Sequence, residues 1–424
     1  MKLVSFIVML GVLVQVSAQD SSVEQSLDVD EAVRIALDNN LSLQRSALDL
    51  SGKQRTADRS WNTLIPSLSA SAQVSHPTSI TGAIPADVWT PGFQVSASLT
   101  LSAATIEQIK KARADYEAGT LTFEQARQEL ELQVRKLFYQ LILLDANRAL
   151  AARSLESAQA RYEQSAALAR AGQASHLDEL SARVDRENQK PTLRNAETVY
   201  ENTVDSFKAL LGIPRERSIT LSGTLDYAGD PNRITQAARS ESLESAVLLK
   251  SIETLEIQRR AAWNGAYIPS LRLSWNSTTI YSNDTWNDNA GSFSVSLGIN
   301  IDNFLPWSTA KTQIDDLNDR MSAAQMQLAE SQQNQESRIA QYRRTIEKSI
   351  ETIEALKLNV ELALTTYELY EDAYRKGAAD YQRLRDAGDS LLQAQNQVQQ
   401  EQYNLIAAVL DMEKELNVPL GTVK

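Results

Sequence analysis

The chain has 424 residues, no cysteine, and 54 acidic against 42 basic residues, a formal charge of −12 at pH 7. Without cysteine there are no disulfides and no lipid-anchored N-terminal Cys of the bacterial lipoprotein kind. The acidic balance argues against nucleic acid as a partner, because binding phosphates requires a basic face.

The first element is a leader. Lys2 precedes an uncharged run from Leu3 to Val16, and Val16-Ser17-Ala18 is a small-residue cleavage signal before Gln19. The pattern predicts a secretory signal peptide over 1–18. An uncleaved anchor is the other reading, though the run is short for a spanning helix. No later uncharged apolar run approaches ~18 residues, so no further membrane-spanning helix is expected.

The rest divides into two repeats, 19–220 and 221–424. The first opens on a helical segment, "DEAVRIALDNNLSLQRSALDLSGKQRTADRS" from Asp30. It meets "WNTLIPSLSASAQVS" (Trp61 to Ser75), where Pro66 ends the helix because it has no amide hydrogen to donate. Beyond it Leu68, Ala70, Ala72 and Val74 alternate with Ser69, Ser71, Gln73 and Ser75. After a loop from Thr78 to Pro91, a return strand alternates Phe93, Val95, Ala97, Leu99 and Leu101 with Gln94, Ser96, Ser98, Thr100 and Ser102. Strict period two puts every apolar side chain on one sheet face. A β-hairpin is therefore expected over about 66–103, each run having the length of a tilted transmembrane strand.

A long helix follows, about 104–171, with Leu130, Val134, Leu137, Leu141 and Leu144 in a heptad stripe. Gly172 in "ARAGQ" marks its C-terminal cap, and a returning helix covers about 176–211.

The second repeat copies this order. A helix over about 243–265 meets "WNGAYIPSLRLSWNS" (Trp263 to Ser277), and a hairpin is expected over about 268–302. Its loop runs from Ser282 to Gly291, and its return strand carries Phe293, Val295, Leu297, Ile299 and Ile301 on one face. The long helix covers about 308–376, ends at Gly377 in "YRKGA", and returns over about 381–416.

Heptads alone fit an ordinary coiled coil, so a periplasmic adaptor or structural scaffold remains an alternative. The combination points further. Four strands with one apolar face cannot bury that face within a single chain, and an open sheet in lipid leaves backbone groups unpaired at its edges. The strands are expected to close with those of other copies, lipid outside and serine-rich walls facing water.

The element order, the junctions "IPSLSASAQVS" and "IPSLRLSWNS", and the turns "ARAGQASHLDELSA" and "YRKGAADYQRLRDA" together resemble the TolC-like outer membrane efflux proteins over essentially the whole mature chain. The resemblance implies a mainly α fold with a small membrane β part. Three chains would give four strands each to one 12-stranded outer membrane barrel, continued by a helical tunnel through the periplasm. It further implies passive export of small molecules or proteins, driven by an inner membrane transporter through a periplasmic adaptor, as in efflux or type I secretion.

The resemblance also implies a periplasmic gate. Asp178, six past Gly172, stands where the family has an acidic link between helices, and Asp386, nine past Gly377, occupies a family constriction position. Arg383 replaces a typical aspartate and Ala379 an often basic residue, so a double aspartate ring is not expected. Asp380 and Tyr381 complete the candidate gate set. Tyr367, Tyr370, Tyr374 and Tyr381 cluster near this tip, to pack between helices or line the passage. Adaptor contact would fall on Arg170, Ala171, Gly172, Arg375, Lys376 and Gly377. Trp89 and Trp286 in the expected loops, with Phe304 and Trp307 beyond the last strand, suit a membrane-interface belt or pack at the loop bases.

His76 and His176 have no metal-ligand spacing around them, and no nucleophile elbow, phosphate-cradling loop or HExxH is present. No catalytic residue, cofactor or metal is assigned, and an enzyme is not expected.

Overall fold

The structure is a computed structural model that describes residues 25–76, 89–226, 242–282, 285–288 and 291–421. The expected signal peptide, residues 78–88 of the expected first hairpin loop and the stretch 227–241 lie outside the described residues, and the return strand begins at Thr90, inside the expected loop.

The first half runs β1 (Gln25–Leu27), α1 (Val29–Asn39), α2 (Leu41–Asp58), a 3-10 turn (Ser60–Leu64), β2 (Ser67–Ser75), β3 (Thr90–Leu101), α3 (Ala103–Arg170), α4 (His176–Leu211) and β4 (Ile219–Leu221). The second runs α5 (Leu243–Tyr267), β5 (Ser270–Ser282), β6 (Thr285–Asp288), β7 (Ser292–Gly298), a 3-10 turn (Ile301–Phe304), α6 (Thr309–Arg375) and α7 (Tyr381–Glu415). The helices α3 and α6, of 68 and 67 residues, each extend about 100 Å.

One antiparallel sheet holds the membrane-type strands in the order β2-β3-β5, with β6 and β7 pairing successive stretches of β5. The register aligns one apolar row, Leu68–Ala97–Trp275–Phe293, and one hydroxyl row, Ser67–Ser98–Ser274–Ser294. The sheet is left with open edges at β2 on one side and at β6 and β7 on the other.

The helices carry the core. Leu130, Val134, Phe138 and Leu141 of α3 pack with Ala32, Val33 and Ala36 of α1 and with Phe207 and Leu211 of α4. Ile346 and Ile353 of α6 meet Leu405, Val409 and Met412 of α7. The two halves are joined where Leu132 and Leu143 of α3 meet Ile406 and Leu410 of α7. Each fully buried Leu or Phe contributes about 1.5–3 kcal/mol, somewhat less once residual compactness of the unfolded chain is counted.

Four features differ from the expected elements. The first helix is broken at Asn40, whose side chain caps α2 by accepting from the Ser42 and Leu43 amides and donates to the Leu210 carbonyl at 2.8 Å. A parallel pair, β1 with β4, had no periodic signature in its three-residue strands. The expected second loop contains β6, held to β5 by backbone pairing and by Tyr281 against Trp286 at 5.4 Å. The last strand stops at Gly298 rather than Ile301, because the Asn303 amide turns back to the Asn300 carbonyl and starts a 3-10 turn.

Candidate functional site

The tips of the two helical hairpins are built alike. At the end of α3, Gly172 adopts φ 73°, its amide donates to the Ala169 carbonyl, and the Gln173 amide reaches back to Leu168. At the end of α6, Gly377 adopts φ 70°, its amide donates to Tyr374, and the Ala378 amide reaches Ala373. This paired closure satisfies the carbonyls that a helix end leaves orphaned, and it requires a left-handed residue that glycine supplies most cheaply. Three residues on, Ser175 and Asp380 cap the next helices, accepting from the amides of Asp178 and Arg383. Both glycines face open space, so a side chain there would be strained by its backbone rather than by a neighbour.

Behind the tips lies a buried polar knot. The Asp185 carboxylate of α4 accepts from the Arg161 guanidinium of α3 at 3.1 Å and from the Tyr381 hydroxyl of α7 at 3.0 Å. Arg161 and Asp185 are each about nine-tenths buried, and Tyr381 is 2% exposed. Close by, the Ser165 and Tyr374 hydroxyls lie 2.6 Å apart, joining α3 to α6. Ala182, Leu384 and the partly buried Tyr162, Tyr367 and Tyr370 pack around these groups. Burial, with Asp185 adding to it, pushes the Tyr381 phenol well above its ordinary range, so it stays a hydrogen-bond donor. Burial, and then Asp185, also raise the Asp389 carboxyl.

The gate candidates occupy different surroundings. Asp178 closes a capping box with Ser175, and its carboxylate accepts from the Ser175 amide at 3.2 Å. Arg383 is exposed and lies 3.8 Å from Asp380 within its own helix turn. Asp386 is exposed and accepts from Gln382 at 2.8 Å. Of this set only Tyr381 joins the buried knot. At the tips, Arg170 donates to the Ala166 carbonyl, and Arg375 and Lys376 flank Asp372, Lys376 at 2.5 Å.

Arg161, Asp185 and Ser165 were not among the sequence candidates, yet a signal for the pair existed. Arg161 and Asp185 stand twelve residues before and twelve after Gln173 in the turn. Equal spacing from an antiparallel turn brings two residues face to face.

At the other end of the molecule the sheet presents hydroxyls in pairs. Ser67 and Ser98 lie 2.9 Å apart, Ser69 and Ser96 2.7 Å, and Ser274 and Ser294 2.7 Å. Aromatic side chains mark both strand ends. The Trp89 ring meets His76 at a tilt with centroids 4.7 Å apart, and Trp286 meets Tyr281 likewise. Phe304 meets Tyr267 at 5.4 Å, while Trp307 is 77% exposed. Among the described residues no helix is long and apolar enough to cross a membrane, and no group of three or more His, Cys, Asp or Glu could hold a metal ion.

The sequence model of one family, described as outer membrane efflux protein, matches residues 32–213 and 256–418. No curated protein matches the chain in sequence. Its fold is similar to that of the Campylobacter jejuni CmeC outer membrane channel, at 14% identity and TM-score 0.78, over 92% of this chain and 85% of that one. The open state of the Neisseria gonorrhoeae MtrE outer membrane channel is similar at 19% identity and TM-score 0.74, over 92% and 89%. The outer membrane protein VceC of Vibrio cholerae matches at 17% identity and TM-score 0.73, over 91% and 96%.

Proposed function

The chain belongs to the outer membrane efflux protein family, and from that premise we propose that three copies form one passive export duct through the outer membrane and periplasm. Each chain contributes its sheet to a 12-stranded barrel, and the long helices continue it as a tunnel. Family membership favours this reading over a periplasmic adaptor or a scaffold.

The observation that carries the proposal is an uncovered apolar sheet face between two open edges. Leu68, Phe93, Phe293, Val295 and Leu297 stand exposed on that face, Leu68 at 79%. Burying such a face in lipid is favourable only if every edge amide and carbonyl is paired, which requires strands from further copies. The height fits. Twelve residues of β3 at a tilt of about 40° rise roughly 28 Å, close to the apolar band of about 25 Å in such barrels. The aromatic groups at the two strand ends would then sit at the two interfaces. The helices also carry uncovered stripes, Leu177, Leu180 and Val184 on α4 and Leu358, Leu362 and Leu369 on α6, which suit contacts between copies.

No chemical step belongs to such a duct. Energy would come from an inner membrane transporter through a periplasmic adaptor seated on the tips at Arg170, Gly172, Arg375, Lys376 and Gly377. In the closed state Asp178 of one copy would face Arg383 or a nearby arginine of the next, and three Asp386 side chains would narrow the passage.

Planar bilayers test the duct and its gate together. The purified protein should insert as discrete conductance steps. Asp178→Asn with Arg383→Ala should enlarge those steps severalfold, the asparagine sparing the cap, whose loss costs about 1 kcal/mol. Steps identical to those of the unaltered protein would reject the lock.

A further inference from the structure

The membrane-type strands are almost without charge. Over β2, β3, β5, β6 and β7 the only charged residues are Arg272 and Asp288. Asp288 pairs with Thr279, seven residues along β5 from Arg272, or about 23 Å away. Arg272 sits near the helix end of β5, in register with Thr100 of β3 and Ser296 of β7. By strand alternation it shares the hydroxyl-bearing face with Ser274 and Asn276, not the apolar face of Leu271, Leu273 and Trp275. The next rung toward the outer end is the row Ser67–Ser98–Ser274–Ser294.

The Arg272 side chain is exposed and makes no ion pair or hydrogen bond with any described residue. Other arginines of the chain, such as Arg45, Arg113 and Arg344, also stand without a carboxylate, but they lie on helices, whereas Arg272 is the one cationic residue among the described residues of the membrane-type strands. A guanidinium surrounded only by hydroxyls keeps its full positive field and its five donors for a passing group.

We propose that Arg272, repeated in three copies at one level, forms a cationic ring at the inner mouth of the barrel that binds the acidic groups of anionic cargo. The inference rests on the trimeric duct of the preceding section. Cargo of this kind carries carboxylate, phosphate or sulfate, each of which a guanidinium can hold through two parallel hydrogen bonds. Twelve strands at a spacing of about 4.8 Å and a tilt of about 40° close at a backbone radius of about 12 Å. The pore axis therefore lies only about one and a half Debye lengths from the wall at physiological salt. Arginine side chains reaching inward shorten that distance, so no ion crosses outside the ring's field. Rings of charged side chains set ion preference in membrane pores in this way. The hydroxyl rows beyond the ring hold no opposing charge, so an anion released from it meets no trap on its way out.

The test is the full-length processed protein in planar bilayers under a potassium chloride gradient, with citrate as the probe anion added on the barrel side. Arg272→Gln should lower the chloride-to-potassium permeability ratio by about twofold or more, Arg272→Glu should lower it further, and Arg272→Lys should hold it near the unaltered value. Citrate should reduce current through the unaltered and lysine channels and lose that effect in the glutamine and glutamate variants. Conducting channels in which Arg272→Gln leaves both permeability ratio and citrate block unchanged would overturn the ring while leaving the duct intact. A protein that never conducts would overturn the duct, and the ring with it.

Discussion

Asp185→Ala is expected to destabilise the tip of the molecule by about 3–5 kcal/mol per chain, the cost of leaving the Arg161 guanidinium buried without its carboxylate. Solvent screening does not soften this figure, since the two side chains are only 11% and 9% exposed. The Tyr381 hydroxyl would lose its acceptor at the same time. The loss falls where α3, α4 and α7 meet, so the hairpins should separate there before the core around Phe138 and Met412 melts. Limited proteolysis near 170–180 and 375–385 should accelerate by tenfold or more, as expected for a local opening equilibrium shifted by about 1.4 kcal/mol or more. Arg161→Met combined with Asp185→Leu removes both charges and should cost much less than the single change, because buried ion pairs often break even against apolar groups of similar size. Equal proteolysis rates for Asp185→Ala and the unaltered protein would show that the knot holds nothing.

Val95→Arg and Ser96→Arg are neighbours in β3 with opposite expected outcomes. Val95 aligns with Ala70 and Ser277 on the face assigned to lipid, whereas Ser96 aligns with Ser69 and Asn276 on the face assigned to water. Arginine on the lipid side of a barrel costs about 2–4 kcal/mol near the midplane, and three copies bring it three times to one assembly. Val95→Arg should therefore abolish recovery from the outer membrane, measured by fractionation. Ser96→Arg should assemble and leave a narrower duct. Recovery of both variants in equal amounts would mean that the sheet faces have been assigned wrongly.

Much of this architecture was legible because each element advertises its own period. The Pro66 and Pro269 junctions, the alternation around Val95 and Val295, and the glycines at 172 and 377 each follow from one local rule. What stayed hidden depends on distant partners. Asn40 reads as an ordinary helix residue until the Leu210 carbonyl gives its side chain a second bond. The strands β1 and β4 are three residues each and exist only as a pair. Arg161 and Asp185 look like solvated helix charges until the hairpin folds them together under Tyr381. Asp178, proposed for the gate, also closes a capping box with Ser175 inside its own chain.

The central claim is that one chain's sheet is incomplete and closes only with two others. Electron microscopy of the detergent-purified protein tests it most directly. The expected particle has threefold symmetry and a length of about 130 Å, from about 100 Å of helix and about 30 Å of barrel. A monomer that stays soluble once detergent is withdrawn would contradict it.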